Sequence, residues 1–330
     1  MGIKRILLPP VVAAGMILLA SCGGGGGTTD PGIPVSEQIA DFGNRPRWSP
    51  DGQRLAFAGT GADLGLWVWN RGTLALTRVT DEDHPHLYDY RWSPDGQKLA
   101  FGGAGAPIEN TSGIFTVNAD GSGLVRWHAT GQDPDWDPDG SGLVFAENDA
   151  AAGLAGVFRL TFADTSVTRL TFTGLAPRYS PDGSRVAFRE LAVSDTLAYR
   201  LKVMDPAGAA ASTVADTCVT FDWTQDSDAL IFSYGSYNPY TYVLDTRVSR
   251  VSAVGGPVIK LLSSAMDPSV SADRVLYVAL YGDLIDGIYS AGLFGGDIAI
   301  ISDTGYQPAV TPDGSAVAYT RNNGIWMANL

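Results

Sequence analysis

Arg47-Trp48-Ser49-Pro50-Asp51-Gly52-Gln53-Arg54-Leu55-Ala56-Phe57 decides the fold, because the chain repeats it. Arg91-Trp92-Ser93-Pro94-Asp95-Gly96-Gln97-Lys98-Leu99-Ala100-Phe101 differs from it at one position, and fainter copies follow. Aligned on the aromatic residue, the copies fall at Trp48, Trp92, Trp136, Tyr179, Trp223, Val270 and Val310. The intervals are 44, 44, 43, 44, 47 and 40 residues, a period that signals a closed or stacked array of like units. Proline stands two residues before the aligned position in five units, and an aromatic nine residues after it in six. In the sixth unit Tyr277 takes that place two residues early.

One unit can be read physically. Trp48 and Ser49 end a short strand, Pro50 sets φ for the first turn position, and Gly52 accepts a positive φ at its close. Leu55 and Phe57 then alternate with Ala56 on a second strand. Third strands such as Leu66-Trp67-Val68-Trp69 follow a variable loop, and fourth strands such as Val167 to Thr171 follow those. Four antiparallel strands in about 44 residues make a β-propeller blade. The expected fold is therefore all-β, a seven-bladed propeller over residues 34–330. Val35 to Ala40 read as a fourth strand without a blade before it, and Gly324 to Ala328 as a third strand without a fourth behind it. Pairing the two would close the ring and leave no open edge.

The front of the chain has a different character. Residues 1–21 carry Lys4 and Arg5, then an apolar run from Ile6 to Ala20, as an export signal does. Leu19-Ala20-Ser21-Cys22 resembles the lipobox of bacterial lipoproteins, which implies lipidation at Cys22 and an extracytoplasmic location. That location would be the periplasmic face of an outer membrane, or the cell surface. Residues 22–33, rich in glycine, then read as a flexible tether. Cys218 lies in a strand-like stretch and reads as a small buried residue.

The repeats with Trp-Ser-Pro-Asp-Gly followed by Leu-Ala-Phe resemble the WD-like repeats of TolB-type propellers, over essentially residues 34–330. The resemblance implies the propeller fold. It implies little about activity, because such propellers serve binding proteins, peptidase accessory domains and polysaccharide-degrading enzymes. TolB proteins carry an α/β domain before a smaller propeller. Residues 34–330 leave no room for one, so the family's envelope role does not carry over.

Composition narrows the partners. Hydrophobic residues at 45% can build a core, and forty glycines with nineteen prolines suit short strands and tight turns. The net charge is −13, and loss of residues 1–21 would make it more negative, which argues against nucleic acid as a partner. An envelope protein or a polysaccharide is the expected partner, and a monomer the expected state.

Candidate chemistry lies where the copies disagree. Asp81 to Asp89, between the first two units, is longer than its counterparts and holds His84 and His86; His128, the third histidine, stands in the next such connection. Imidazoles two residues apart on an extended segment can reach one divalent metal. The arrangement distantly resembles the histidine-held metal of propeller-type oligogalacturonate lyases, though a further histidine and a placed base are missing. A hydrated acidic loop has the same composition. Asp89, Asp133 and Asp267 stand three residues before the aligned aromatics, where Arg45 stands in the first unit. With Tyr88 they form a candidate ligand face at the channel mouth, although aspartates also cap strand ends. Tyr234, Tyr237, Tyr240 and Tyr242 could stack on a sugar or simply pack between blades. Asp135 to Gly140 mimics a calcium loop but falls in the repeat's hairpin, which does not wrap an ion. No Gly-x-Ser-x-Gly is present. On these grounds a non-enzymatic binding scaffold without a cofactor is the expectation, and a metal-dependent polysaccharide-degrading enzyme the alternative.

Overall fold

The computed structural model describes residues 33–81, 87–103, 112–149, 154–191, 199–238, 243–281 and 284–330. Cys22, the signal and the tether therefore lie outside the described residues, as do His84 and His86. Seven four-stranded antiparallel sheets make up the unit from Ile33 to Leu330. In six of them the strands follow chain order, so each sheet is a meander closed within one repeat. Blade one, for example, runs Asn44–Trp48, Arg54–Gly59, Gly65–Asn70 and Leu76–Arg78.

The seventh sheet closes the ring as the repeat pattern predicts. Ser36–Ala40 pairs with the last strand, Gly324–Asn329, with Ser36 opposite Ala328 and Ala40 opposite Ile325. The Tyr319 hydroxyl adds a 2.6 Å bond to Ser36 Oγ. No helix among the described residues is long and apolar enough to cross a membrane.

The repeated residues explain both the blade and the ring. In the turn, the Ser49 hydroxyl donates to Asp51 at 2.5 Å and accepts from the Arg54 amide at 2.9 Å, while the Gly52 amide reaches Ser49 O at 2.8 Å. Blade five, whose turn lacks proline and glycine, keeps this geometry: Thr224 replaces the serine, and Ser227 takes the glycine's positive φ of 63°. In blade six the hairpin is two residues shorter, pairing Val270 with Val275 where blade one pairs Trp48 with Leu55, which explains why Tyr277 comes early.

Each of the four aligned tryptophans acts between blades. The indole N–H of Trp92 donates to Arg47 O at 3.0 Å, that of Trp136 to Arg91 O at 3.0 Å, and that of Trp223 to Arg178 O at 3.2 Å. Trp48 makes the same bond to Ala309 O across the closure. The aromatics nine residues on, Phe57 to Tyr319, are fully or nearly fully buried, and the apolar clusters span neighbouring blades rather than single sheets. Burial of about 25 cal/mol per Å² of apolar surface thus holds blade to blade.

Candidate functional site

The first strands of consecutive blades lie against one another around the ring, and the first strand of blade seven meets that of blade one. What these strands carry next to the aromatic decides the chemistry of the channel. The residue just before it is Arg47, Arg91, Asp135, Arg178, Asp222, Ser269 or Ala309 in turn. Where the next unit has a tryptophan, the carbonyl of this residue (Arg47, Arg91, Arg178 or Ala309) is the indole's acceptor, which fixes its backbone. The acidic and hydroxyl members are used the same way: Asp135 accepts from the Tyr179 amide at 2.8 Å, Asp222 from the Val270 amide at 3.3 Å, and Ser269 from the Val310 amide at 3.1 Å.

The three arginines converge on one carboxylate. Arg47 Nη2 lies 3.4 Å from Asp89 Oδ1, Arg91 Nη2 lies 3.3 Å from Asp89 Oδ2, and Arg178, two blades away, also bonds Asp89 Oδ2. Arg91 Nε stands 3.6 Å from Asp135 Oδ1. A pair joining blades two and four bridges the channel, so these side chains form an ionic plug within it.

Burial and charge then set the protonation states. Burial pushes the Asp89 carboxyl up, but Arg91, Arg47 and Arg178 together win and hold it well below the usual carboxylate range. Burial and the two neighbouring guanidiniums, Arg178 and Arg47, push Arg91 down to about 10. Asp135 and Asp222 are raised because burial outweighs the arginines beside them. Asp133 is raised by burial and by Asp89, and Asp267 by burial with only Arg47 opposing it.

Arg47 differs from the other two arginines. Its side chain is 42% exposed, against 18% for Arg91 and 12% for Arg178. Its Nε is nonetheless buried and has no acceptor among the described residues. An unpaired buried donor of this kind costs about 1–3 kcal/mol; the part of the guanidinium open to solvent lies away from Nε.

The residues singled out in the sequence take different places. Asp89, Asp133 and Asp267 lie on the first strands, half-buried, and only Asp89 joins the plug's ion pairs. Asp133 and Asp267 have positive φ, 52° and 48°, as do Arg45, Ala176 and Gln307 at the same repeat position. A β-bulge at this point in each of these strands accounts for it. Arg45 is exposed, and its carbonyl accepts from the buried Tyr90 hydroxyl. Tyr88 belongs to the first strand of blade two, its side chain outside the described residues.

His128 ends the outer strand Val125–His128 and is occupied there. Its Nδ1 lies 3.2 Å from Glu147 Oε1 and 3.1 Å from Thr130 O. The bond to Glu147 raises its pKa. Among the described residues no three His, Cys, Asp or Glu side chains are grouped to hold a metal ion. The calcium-loop mimic is a hairpin, with Asp137 Oδ2 bonded to Arg159 at 2.5 Å and Asp139 to the Ser141 amide. Tyr234 lies under Arg247, 5.9 Å away, and its three companions lie outside what is described of side chains. Cys218 is buried, and burial pushes its thiol up to about 12.

Arg47, Arg91, Arg178 and Asp222 were not among the sequence candidates, and Asp135 entered only through the calcium-loop mimic. Their signal was present in the repeat alignment, one residue before the aligned aromatic, where a position that is apolar or serine in two units carries charge in five.

No protein-family model matches the chain, and no curated protein does. Solved structures match its fold. An oligogalacturonate lyase in complex with manganese superposes with a TM-score of 0.69 at 15% identity, covering 92% of this chain and 95% of that one. The oligogalacturonate lyase of Vibrio parahaemolyticus gives 0.68 at 12%, covering 91% and 94%. A TolB from Agrobacterium tumefaciens gives 0.52 at 20%, covering 70% and 82%. The class is thus a seven-bladed β-propeller with TolB-like structural relatives. The expectation of a non-enzymatic scaffold is corrected here: two structures matched over nine-tenths of both chains are lyases by name, and they fit the enzyme alternative. The manganese of the first has no counterpart ligand set among the described residues.

Proposed function

We propose that the chain is an enzyme that binds an acidic oligosaccharide at the mouth of its channel and cleaves it by β-elimination. Arg47 carries the site. It is a half-exposed guanidinium anchored through Nη2 to Asp89. A planar fork fixed on one side and open on the other suits a uronate carboxylate. Asp267, on which the Arg47 charge acts, and Asp133, both raised by burial, can exchange hydrogen bonds with sugar hydroxyls. The likeness of fold to two lyases supports the reaction class.

In such a reaction a base removes the proton on the carbon α to the carboxylate. The electron pair becomes a carbon–carbon double bond, the C–O bond to the next sugar breaks, and the departing oxygen is protonated. Arg47 neutralises the carboxylate and so stabilises the charge that develops as the proton leaves. The attraction is local, because the net charge of −13 repels a polyanion at long range.

The test is incubation of the purified chain with oligogalacturonate, with and without manganese, following the ultraviolet absorbance of the unsaturated product. Product is expected from the wild type, with about a hundredfold loss of kcat/KM in Arg47→Ala, the scale of one removed charge-assisted contact of about 2–3 kcal/mol. No product under either condition would overturn the proposal.

A further inference from the structure

The turn ends of neighbouring blades form a second kind of site, built from residues that take no part in the channel's ion pairs. Six residues after the aligned aromatic stand Arg54 in blade one, Lys98 in blade two and Arg185 in blade four. Both arginines reach into the following blade. The Arg54 guanidinium lies 5.4 Å from the centroid of the Trp92 ring, and its Nη2 is 3.4 Å from where a Cβ on Gly96 would stand. Arg185 Nη1 lies 3.4 Å from the carbonyl of Ser227, the residue in that glycine's place in blade five.

Lys98 does otherwise. Its Nζ donates to Asn118 Oδ1 at 3.0 Å, within its own blade. Beside Gly140, the counterpart of Gly96, nothing stands within 4 Å of an added Cβ. A cavity of about 370 Å³ opens there, lined by Trp127, Trp136, Phe162, Asp95, Asp139 and Lys98 among others. Its aromatic wall is built: Trp127 and Phe162 stand 4.5 Å apart and Trp136 and Phe162 5.6 Å, with the Trp127 indole bonded to Thr116 Oγ1 at 2.8 Å. The volume is within the range of small-ligand sites.

We propose that this cavity binds an organic cation, an alkylguanidinium or alkylammonium group, in the place that Arg54 fills one junction earlier. A cation over an aromatic face is attracted by the ring quadrupole. Two carboxylates, Asp95 and Asp139, flank the wall, and Lys98, drawn off by Asn118, offsets one of them. Hydrogen bonds from Ser93 and Ser141 keep both carboxylates below the usual range, so they are charged at neutral pH.

The experiment is a titration of the full chain with methylguanidinium, at concentrations far below denaturing ones, read by the indole N–H resonances of the tryptophans. Methylurea, the neutral analogue, is the control. Saturable shifts at Trp127 and Trp136 with methylguanidinium, and at least tenfold weaker binding of methylurea, are expected. Lys98→Arg should fill the cavity from within and weaken methylguanidinium binding at least tenfold. Arg54→Lys should open a second site and add a saturable shift at Trp92. Equal binding of the two probes, no saturable shift, or a folded Lys98→Arg protein that binds as the wild type does would overturn the proposal. If Lys98→Arg does not fold, the comparison of the two probes decides alone.

Discussion

At the scale of single residues, the channel sets aspartates against one another. Asp89 is held low by three arginines, whereas Asp133, Asp135, Asp222 and Asp267 are raised, chiefly by burial. The consequences for stability have opposite signs. A carboxyl raised in the folded state binds its proton more readily there, so each of the four adds stability as pH falls toward the ordinary carboxylate range of about 4. His128, raised by Glu147, adds stability that is fully present below its unfolded pKa of about 6.5 and lost as pH rises through the folded value. Asp89 and the turn aspartates Asp51, Asp95, Asp182, Asp226 and Asp313 are lowered, so their contribution is present above about 4 and lost below it. Thermal melts across pH should therefore show a higher melting temperature near pH 5 than near pH 8, and a steep fall below pH 4. A melting temperature that rises steadily to pH 8 would contradict this assignment of charges.

At the scale of the element, the first strand of the described chain carries more than its length suggests. Ser36–Ala40 covers an edge that the strand Gly324–Asn329 would otherwise expose, and Ala40 joins the apolar cluster shared by blades seven and one. Deleting residues 34–41 removes one blade's outer strand and frees that edge. At about 1 kcal/mol net for each lost bond, a loss of about 5 kcal/mol follows, or about 10 °C in melting temperature for a chain of this size. Calorimetry of the deletion variant checks it, and an unchanged melting temperature would rule out this closure. The element scale is also where the sequence was most legible. Trp48, Pro50, Gly52 and Phe57 recur because the blades share one turn and one buried ring, and four of them one indole bond to the preceding blade. Even the weak copies held: Ser227 adopts the glycine's conformation, and Val270 the tryptophan's place.

At the scale of the whole molecule, the legible part ends at the channel. Asp89, Asp133 and Asp267 stood out in the sequence because they break the repeat, and the fold does bring them to the first strands. Arg178 could not be joined to Asp89 by any local rule, since they lie 89 residues and two blades apart and meet only when the ring closes. His128 illustrates the converse: it shares a kind of connection with His84 and His86 in the sequence, but its partner is Glu147 on the second strand of the next blade. The loop holding the other two histidines lies outside the described residues. The ring therefore turns a repeat of scaffold residues into a channel in which the guanidinium of Arg47 stands half-open.

That guanidinium can be tested directly by equilibrium titration of a non-cleavable, carbon-linked galacturonate oligomer into the wild type, Arg47→Lys and Arg47→Ala, beside the corresponding neutral galactose oligomer. The wild type should prefer the acidic oligomer, and Arg47→Ala should lose about tenfold to a hundredfold in affinity for it alone. Arg47→Lys, which keeps the charge without the fork, should fall between them. Equal binding of the two oligomers by the wild type, or undiminished binding of the acidic one by Arg47→Ala, would contradict this role of Arg47.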